Sequence, residues 1–156
     1  MIEVLFLPPV ATIQDLGRDG FWKQGLGRAG AMDRVAHSAA NLLLGNDVNA
    51  ATLEIPLTPA KFKFTATMPF ALVGAACGAT LDGIALPAAY AGTAEPGQIL
   101  ELGAMRTGAF VYLALSGGID VPQVLGSRST QLRESFGGLD GRVLAPGDQL
   151  SPHNTT

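Results

Sequence analysis

Glycine and proline cut this chain into short pieces, and that punctuation restricts the fold more than any other feature. Its 156 residues include 20 glycines and 10 prolines, and the apolar stretches between them are strand-sized. Val4–Leu7 stops at Pro8-Pro9. Lys61–Thr65 alternates apolar and polar side chains, as a half-exposed strand does. Phe70–Val73 is a short buried run. Thr80-Leu81 and Ile84–Leu86 flank Asp82-Gly83, a pair suited to the left-handed dihedrals of a type I′ hairpin. Pro96-Gly97 turns into the alternating Gln98–Leu102, and Phe110–Leu115 is rich in aromatic and β-branched strand formers. Arg142-Val143-Leu144 reads as a last strand ahead of Pro146-Gly147. This pattern predicts a mainly antiparallel β protein with a barrel or sandwich-like body.

One stretch breaks the pattern. Arg34–Leu44 carries Val35, Ala36, Ala39, Ala40, Leu42 and Leu43 as a broad apolar stripe at helical spacing. Asp33 is placed to cap the first turn with its carboxylate, and Gly45 stands where a left-handed C-terminal cap is wanted. The same helix start also presents free N–H groups to an anion, and Gly30-Ala31-Met32 would let a ligand approach. His37, in the middle of the helix, reads as a packing or surface residue rather than a catalyst.

Charge and composition narrow the function. With ten Lys and Arg against thirteen Asp and Glu, the net charge is -3, and no basic run exists to track a phosphate backbone, so nucleic acid is not an expected partner. The single cysteine, Cys77, excludes an internal disulfide and reads as a small buried hydrophobe. Two histidines and one cysteine make a metal site of that type unexpected. Phe64–Leu81 is uncharged, but Pro69, Gly74 and Gly78 divide it into strands and turns rather than a membrane span. No secretory leader pattern is evident, and a cytoplasmic location is the expectation. There is no phosphate-binding Gly-rich loop, and the polar tail 151–156 is expected to fray.

Two segments carry chemistry. Gly117–Thr130 reads GGIDVPQVLGSRST; its end, Gly126-Ser127-Arg128-Ser129-Thr130, offers three hydroxyls and a guanidinium in a loop. Such a group either holds a carboxylate or phosphate by charge-assisted hydrogen bonds or merely satisfies its own backbone. The second segment is Thr12–Arg18, TIQDLGR, followed by a glycine-rich loop of functional length. Asp15 and Arg18 within it form a local ion pair, or Arg18 faces an anionic substrate that Asp15 helps orient.

The segment YLALSGGIDVPQVLGSRST (Tyr112–Thr130) resembles the signature of the biotin-dependent carboxyltransferase family, which includes allophanate hydrolase subunit 2, the C component of 5-oxoprolinase and part of urea carboxylase. TIQDLGR, GAMD (Gly30–Asp33), ANLLLGN (Ala40–Asn46) and FGGLDGRVLAPGDQL (Phe136–Leu150) resemble the same family in the same order. The resemblance covers the N-terminal half of such proteins, residues 1–150 here, and implies a cyclophilin-like β-barrel carboxyltransferase subdomain. Where the family commonly has proline and serine just before GAMD, this chain has Gly27 and Ala29.

What the resemblance implies is carboxyl or acyl-type transfer at an amide or urea nitrogen, or ATP-dependent opening of 5-oxoproline. Catalysis of this kind rests on placement and on stabilising a developing oxyanion. Arg128, Asp15 and Ser127 are the implied catalytic residues; Arg18, Asp33, Ser129, Thr130 and Gly126 are the implied substrate-binding set. No Ala-Met-Lys-Met biotinylation segment is present, so carboxybiotin would arrive on a carrier, or ATP would be used by a larger assembly. The implied partner is an allophanate hydrolase subunit 1-like protein, without which the chain alone is expected to be inactive. The alternative is a non-catalytic regulatory module that associates with such a protein. A third reading is a stand-alone small-molecule binder.

Overall fold

The computed structural model describes residues 1–153. Its strands are β1 (Ile2–Phe6), β2 (Thr12–Gln14), β3 (Thr52–Pro56), β4 (Ala60–Phe64), β5 (Met68–Ala76), β6 (Thr80–Leu81), β7 (Ile84–Ala85), β8 (Ala89–Ala94), β9 (Ile99–Leu102), β10 (Thr107–Leu115) and β11 (Gln149–Leu150). One α-helix, α1 (Arg34–Leu43), and one 3-10 turn, Trp22–Gln24, complete the regular structure. The strands form two antiparallel sheets, β11-β1-β4-β9-β6-β7 and β2-β3-β10-β5-β8. The sheets remain open at their edges, so the mainly β, one-helix fold is a sandwich rather than a closed barrel.

Both sheets contribute to one core. Ile2, Val4, Phe62, Phe64, Leu100 and Leu102 from the first meet Ile13, Leu53, Ile55, Phe70, Leu72, Val111 and Leu113 from the second. Phe64 and Phe70 touch across the gap with ring centroids 5.0 Å apart, a tilted arrangement that aromatic pairs favour. The unbroken apolar run Phe110–Leu115 follows from its place at the middle of the second sheet. Val111, Leu113 and Leu115 face the main core, whereas Tyr112 and Ala114 face α1. A strand covered on both faces has no polar side to show.

The helix forms as its ends predict. Asp33 Oδ1 accepts from the Ala36 N–H at 3.0 Å, and Gly45 (φ 71°) closes the other end. Its buried face differs from the expected stripe. Ala36, His37, Ala40 and Asn41 are buried, while Val35, Leu42 and Leu43 lie on the exposed side. Small alanines let the helix approach Ala71, Tyr112 and Ala114 closely, and two polar residues fill the remainder because they have backbone to satisfy. Asn41 Nδ2 donates to Ala50 O at 2.8 Å, and His37 Nε2 to Val48 O at 3.1 Å.

The Asp82-Gly83 hairpin is present, with φ of 47° and 77°. Arg142–Leu144 is not a strand; the final strand is Gln149–Leu150, which pairs with β1. Of the stretch expected to fray, Ser151–His153 is held: Pro152 bridges Ile119, and His153 N–H donates to Gly118 O at 2.7 Å. Residues 154–156 lie outside the described residues. No helix among the described residues is long and apolar enough to cross a membrane.

Candidate anion-binding site at the Arg128 loop

β10 delivers the chain to the signature loop, and β2 delivers Asp15 beneath it. Leu125 and Gly126, at φ 52° and 80°, turn the loop in a two-residue hairpin between Val124 and Ser127. The Asp15 carboxylate is buried and receives four donors. Ser127 Oγ–H and Ser129 Oγ–H each donate to Oδ1 at 2.6 Å, the Gly17 N–H to Oδ1 at 2.8 Å, and the Arg128 N–H to Oδ2 at 2.6 Å. The serine oxygens accept in return, Ser129 Oγ from Asp15 N–H and Ser127 Oγ from Ser129 N–H, both at 3.0 Å. Charge-assisted bonds this short, inside a low-dielectric interior, fix the loop's backbone.

Arg18 does the same job from the other side. It is 2% exposed and donates to Ser129 O (2.8 Å), Ser127 O (3.3 Å), Val124 O (3.3 Å) and Gln131 Oε1 (2.9 Å). Its guanidinium stacks over the Phe136 ring, 4.9 Å from the centroid. Burial lowers its pKa, and the Asp15 charge acts in the opposite direction; the group stays cationic in either case. Asp15 and Arg18 therefore do not form a local ion pair, and the Arg18 guanidinium donates to backbone carbonyls and Gln131. They grip the same loop from two sides.

The glycines of this region let backbones touch. A Cβ on Gly30 would stand 2.8 Å from Leu16 O, and one on Gly17 would stand 2.8 Å from Arg28 O. The two arms of the 15–31 loop thereby close on each other, with Arg18 N–H donating to Arg28 O at 2.8 Å and Ala31 N–H to Asp15 O at 2.9 Å.

The placements separate the sequence-predicted residues. Asp15, Ser127, Ser129 and Arg18 converge, but their polar atoms are occupied by one another and by backbone. Thr130 is buried, and its hydroxyl donates to Ile13 O at 2.8 Å. The hydroxyls of Ser127, Ser129 and Thr130 each donate within the protein. Gly126 is exposed at the hairpin tip. Asp33 caps α1, away from the loop, and its N–H donates to Tyr112 Oη at 2.8 Å. Arg128 is different. Its Nε donates to Val121 O at 3.0 Å, and no hydrogen bond within the described residues engages its two terminal nitrogens. It lines a cleft of ≈ 290 Å³ with Asp47, Asn49, Gly117, Gln123 and His153. Such a half-held guanidinium is preorganised for a carboxylate. No cluster of His, Cys, Asp or Glu able to hold a metal occurs among the described residues.

Sequence reasoning passed over Glu54. It lies on β3 between Leu53 and Ile55, and a lone acid alternating with core residues on a strand was the available signal. Register sets Thr12, Glu54 and Tyr112 in a row across β2, β3 and β10. Glu54 Oε2 accepts from Tyr112 Oη–H at 2.7 Å and from Met32 N–H at 2.8 Å. Burial pushes the Glu54 carboxyl above its ordinary value, against both hydrogen bonds, and burial with the Glu54 bond raises the Tyr112 phenol. Cys77 is buried, with its thiol pKa raised by that burial.

Burial likewise lowers the pKa of His37, with the Val48 carbonyl opposing. Its unfolded counterpart protonates near 6.5. Below about pH 6.5 the unfolded chain therefore binds more protons than the folded one, and stability falls as pH drops toward the folded value. Glu54 works in the other direction, since the folded state holds its proton longer: stability falls as pH rises from 4.5 through the raised folded value. His37→Gln should flatten the acid-side loss and Glu54→Gln the loss on raising pH, read from urea unfolding between about pH 4 and pH 8. A wild-type profile unchanged by His37→Gln would show that His37 is not the titrating group.

Residues 24–156 match the family model for the carboxyltransferase domain, subdomain A and B. The chain belongs to this family. It is 44% identical over 150 residues to the C component of 5-oxoprolinase from Escherichia coli, covering 96% of this chain and 48% of that protein. To urea amidolyase of Saccharomyces cerevisiae it is 37% identical, over 96% of this chain and 8% of that protein. The crystal structure of the Kluyveromyces lactis urea carboxylase superposes with a TM-score of 0.93 at 35% identity, over 99% of this chain and 14% of that one. The chain thus spans about half the length of the 5-oxoprolinase components it resembles, and the carboxyltransferase fold implied by its motifs is the fold it has.

Proposed function

We propose that this chain supplies the anion-holding part of a 5-oxoprolinase or biotin-dependent carboxyltransferase-type enzyme acting on a cyclic amide or urea-like C–N substrate. Residues 1–150 form the N-terminal half of the corresponding subunit, and activity requires an allophanate hydrolase subunit 1-like partner in the cytoplasm. The observation that carries this reading is Arg128, its terminal nitrogens free on the cleft and its backbone N–H tied to Asp15.

The residues present fit a carboxylate-bearing cofactor such as carboxybiotin: a guanidinium for the carboxylate, with Asn49 and Gln123 on the same cleft for a planar polar ring, while Asp47, the carboxylate that also lines it, accepts from the Asn49 N–H at 2.8 Å. When bound, that group supplies an activated carboxyl; in the 5-oxoprolinase reading, ATP used by the assembly supplies the activation. In either case this chain's share is the same. Arg128 holds the anion and opposes charge that develops on oxygen, while Asp15, Ser127, Ser129, Thr130 and Arg18 position it.

Size-exclusion chromatography with light scattering, on the chain alone and with a subunit 1-like protein from the same source, tests the reading. A stable mixed complex that turns over 5-oxoproline with ATP, or a urea-type substrate with carboxybiotin, is the expected result. A complex that forms and stays inactive with both would favour the regulatory module. A chain that ignores the partner would remove the trans-acting reading.

A further inference from the structure

Each sheet ends in two outer strands, and three of those edges are too short to pair or already covered. β7 and β11 are two residues each. β2 is three residues long, and Thr130 N–H donates to Ile13 O at 2.9 Å along its outer side. The fourth edge, β8, is different. It runs for six residues, Ala89–Ala94, and pairs only with β5, in a register without a bulge. It carries no lysine, no proline and no charge, the devices by which exposed edges ordinarily avoid one another.

The pairing pattern fixes what the free side of β8 offers. Pro69 O accepts at 3.1 Å from the N–H of Ser116, the residue that follows β10. Main-chain groups alternate in direction along a strand, so Pro69, Ala71 and Val73 point toward β10, and Phe70 and Leu72 toward β8. Phe70 and Leu72 stand opposite Gly92 and Tyr90, whose N–H and C=O groups therefore bond β5. Ala89, Ala91 and Thr93 direct theirs outward, and no hydrogen bond within the described residues engages them. Their side chains are small and exposed, so nothing on the strand obstructs a second backbone.

We propose that β8 is a homodimer edge, pairing antiparallel with β8 of a second copy about a two-fold axis at Ala91. The two five-stranded sheets become one continuous sheet. Ala91 faces the copy's Ala91, Ala89 faces its Thr93, and about six N–H···O bonds form. A second copy fits because the two ends of the edge complement each other. Glu95 follows β8 directly and is exposed, its carboxylate accepting from the Thr67 hydroxyl. Arg106 stands at the other end, its N–H donating to Ala76 O and its residue lining a small cleft with Pro87 and Ala88. No hydrogen bond or ion pair among the described residues engages the Arg106 side chain. Pairing about Ala91 sets Glu95 opposite the copy's Pro87, at the Arg106 end, and the two-fold axis makes that contact twice. The edge involves neither the Arg128 cleft nor another protein, so it stands or falls apart from the reading above.

The test is light scattering and amide hydrogen exchange on the chain alone from about 5 μM to about 500 μM, the range suited to an interface below standard size. A dimer is expected at the upper end, with the Ala91 and Thr93 amides slowing as it forms and Gly92 protected throughout. Ala91→Pro removes an outward donor from each copy and no bond to β5, so the monomer should fold and dimerise at least about tenfold more weakly. Ala91→Lys sets like charges directly opposite on the axis and should also weaken the dimer; it keeps the N–H and tests the same edge if proline disturbs β8. Glu95→Arg and Arg106→Glu should each weaken dimerisation, and the two together should restore it. A chain monomeric throughout would overturn the proposal and leave the edge to a strand of another protein. So would a dimer whose Ala91 and Thr93 amides stay unprotected, one indifferent to Ala91→Lys, or a charge swap that restores nothing.

Discussion

Arg128→Ala is expected to cut kcat/KM of the assembled enzyme by about 10²- to 10³-fold, the usual cost of removing one preorganised group from a developing oxyanion. The chain's own fold should survive, because Arg128 contributes to it by a single side-chain bond, from Nε to Val121 O. The loop is held by the backbone N–H of residue 128, which alanine keeps. Arg128→Lys should recover only part of the loss, since an ammonium lacks the planar fork. Arg133→Ala is the control, its side chain 90% exposed. Thermal unfolding, partner association and turnover belong in one experiment. Full activity with Arg128→Ala would remove this residue from the site, and weakened association with unchanged chemistry would point to a docking role.

Asp15→Ala should act through the fold. It leaves the Ser127 and Ser129 hydroxyls and the Gly17 and Arg128 N–H groups without their acceptor, and it leaves the buried Arg18 guanidinium without the nearest negative charge. A loss of about 3–5 kcal/mol is expected, in the range found when one partner of a buried charged network is deleted. Asp15→Asn is the sharper variant. Three of the four donors meet Oδ1, so an amide oxygen can serve them, but its NH₂ would then face the Arg128 N–H. Donor against donor should displace Arg128, so activity should fall further than stability does. Unfolding by urea, with turnover assayed at a temperature where the variant is folded, separates the two effects. If Asn behaves as wild type in both, the Oδ2 contact carries no weight.

Much of this protein could be read from the chain. Alternation fixes which face of β4 and β9 is buried, the Asp82-Gly83 pair fixes a hairpin, and Asp33 and Gly45 fix the ends of α1. Each is a rule about neighbours along the sequence, with a period or a backbone dihedral behind it. The five family segments likewise named the carboxyltransferase fold before any packing was considered. Short or polar strands were harder. β2 and β8 carry no clear alternation, and they are strands because β3 and β5 offer them hydrogen-bonding edges.

The candidate site shows the same division. Residue identities alone establish that Asp15, Arg18, Ser127, Arg128, Ser129 and Thr130 carry groups fit for holding an anion. They could not say which would face outward, because residue 15 and residues 127–131 are more than a hundred positions apart and meet only through the β2-β3-β10 pairing. Packing in three dimensions selected Asp15 and Arg18 to satisfy the loop and left Arg128 to reach the cleft. It also set Glu54 beside Tyr112, burying a carboxyl that the sequence shows only as one acid in an apolar strand. Buried polar groups must find partners, and which partners they find depends on the three-dimensional neighbours that desolvate them.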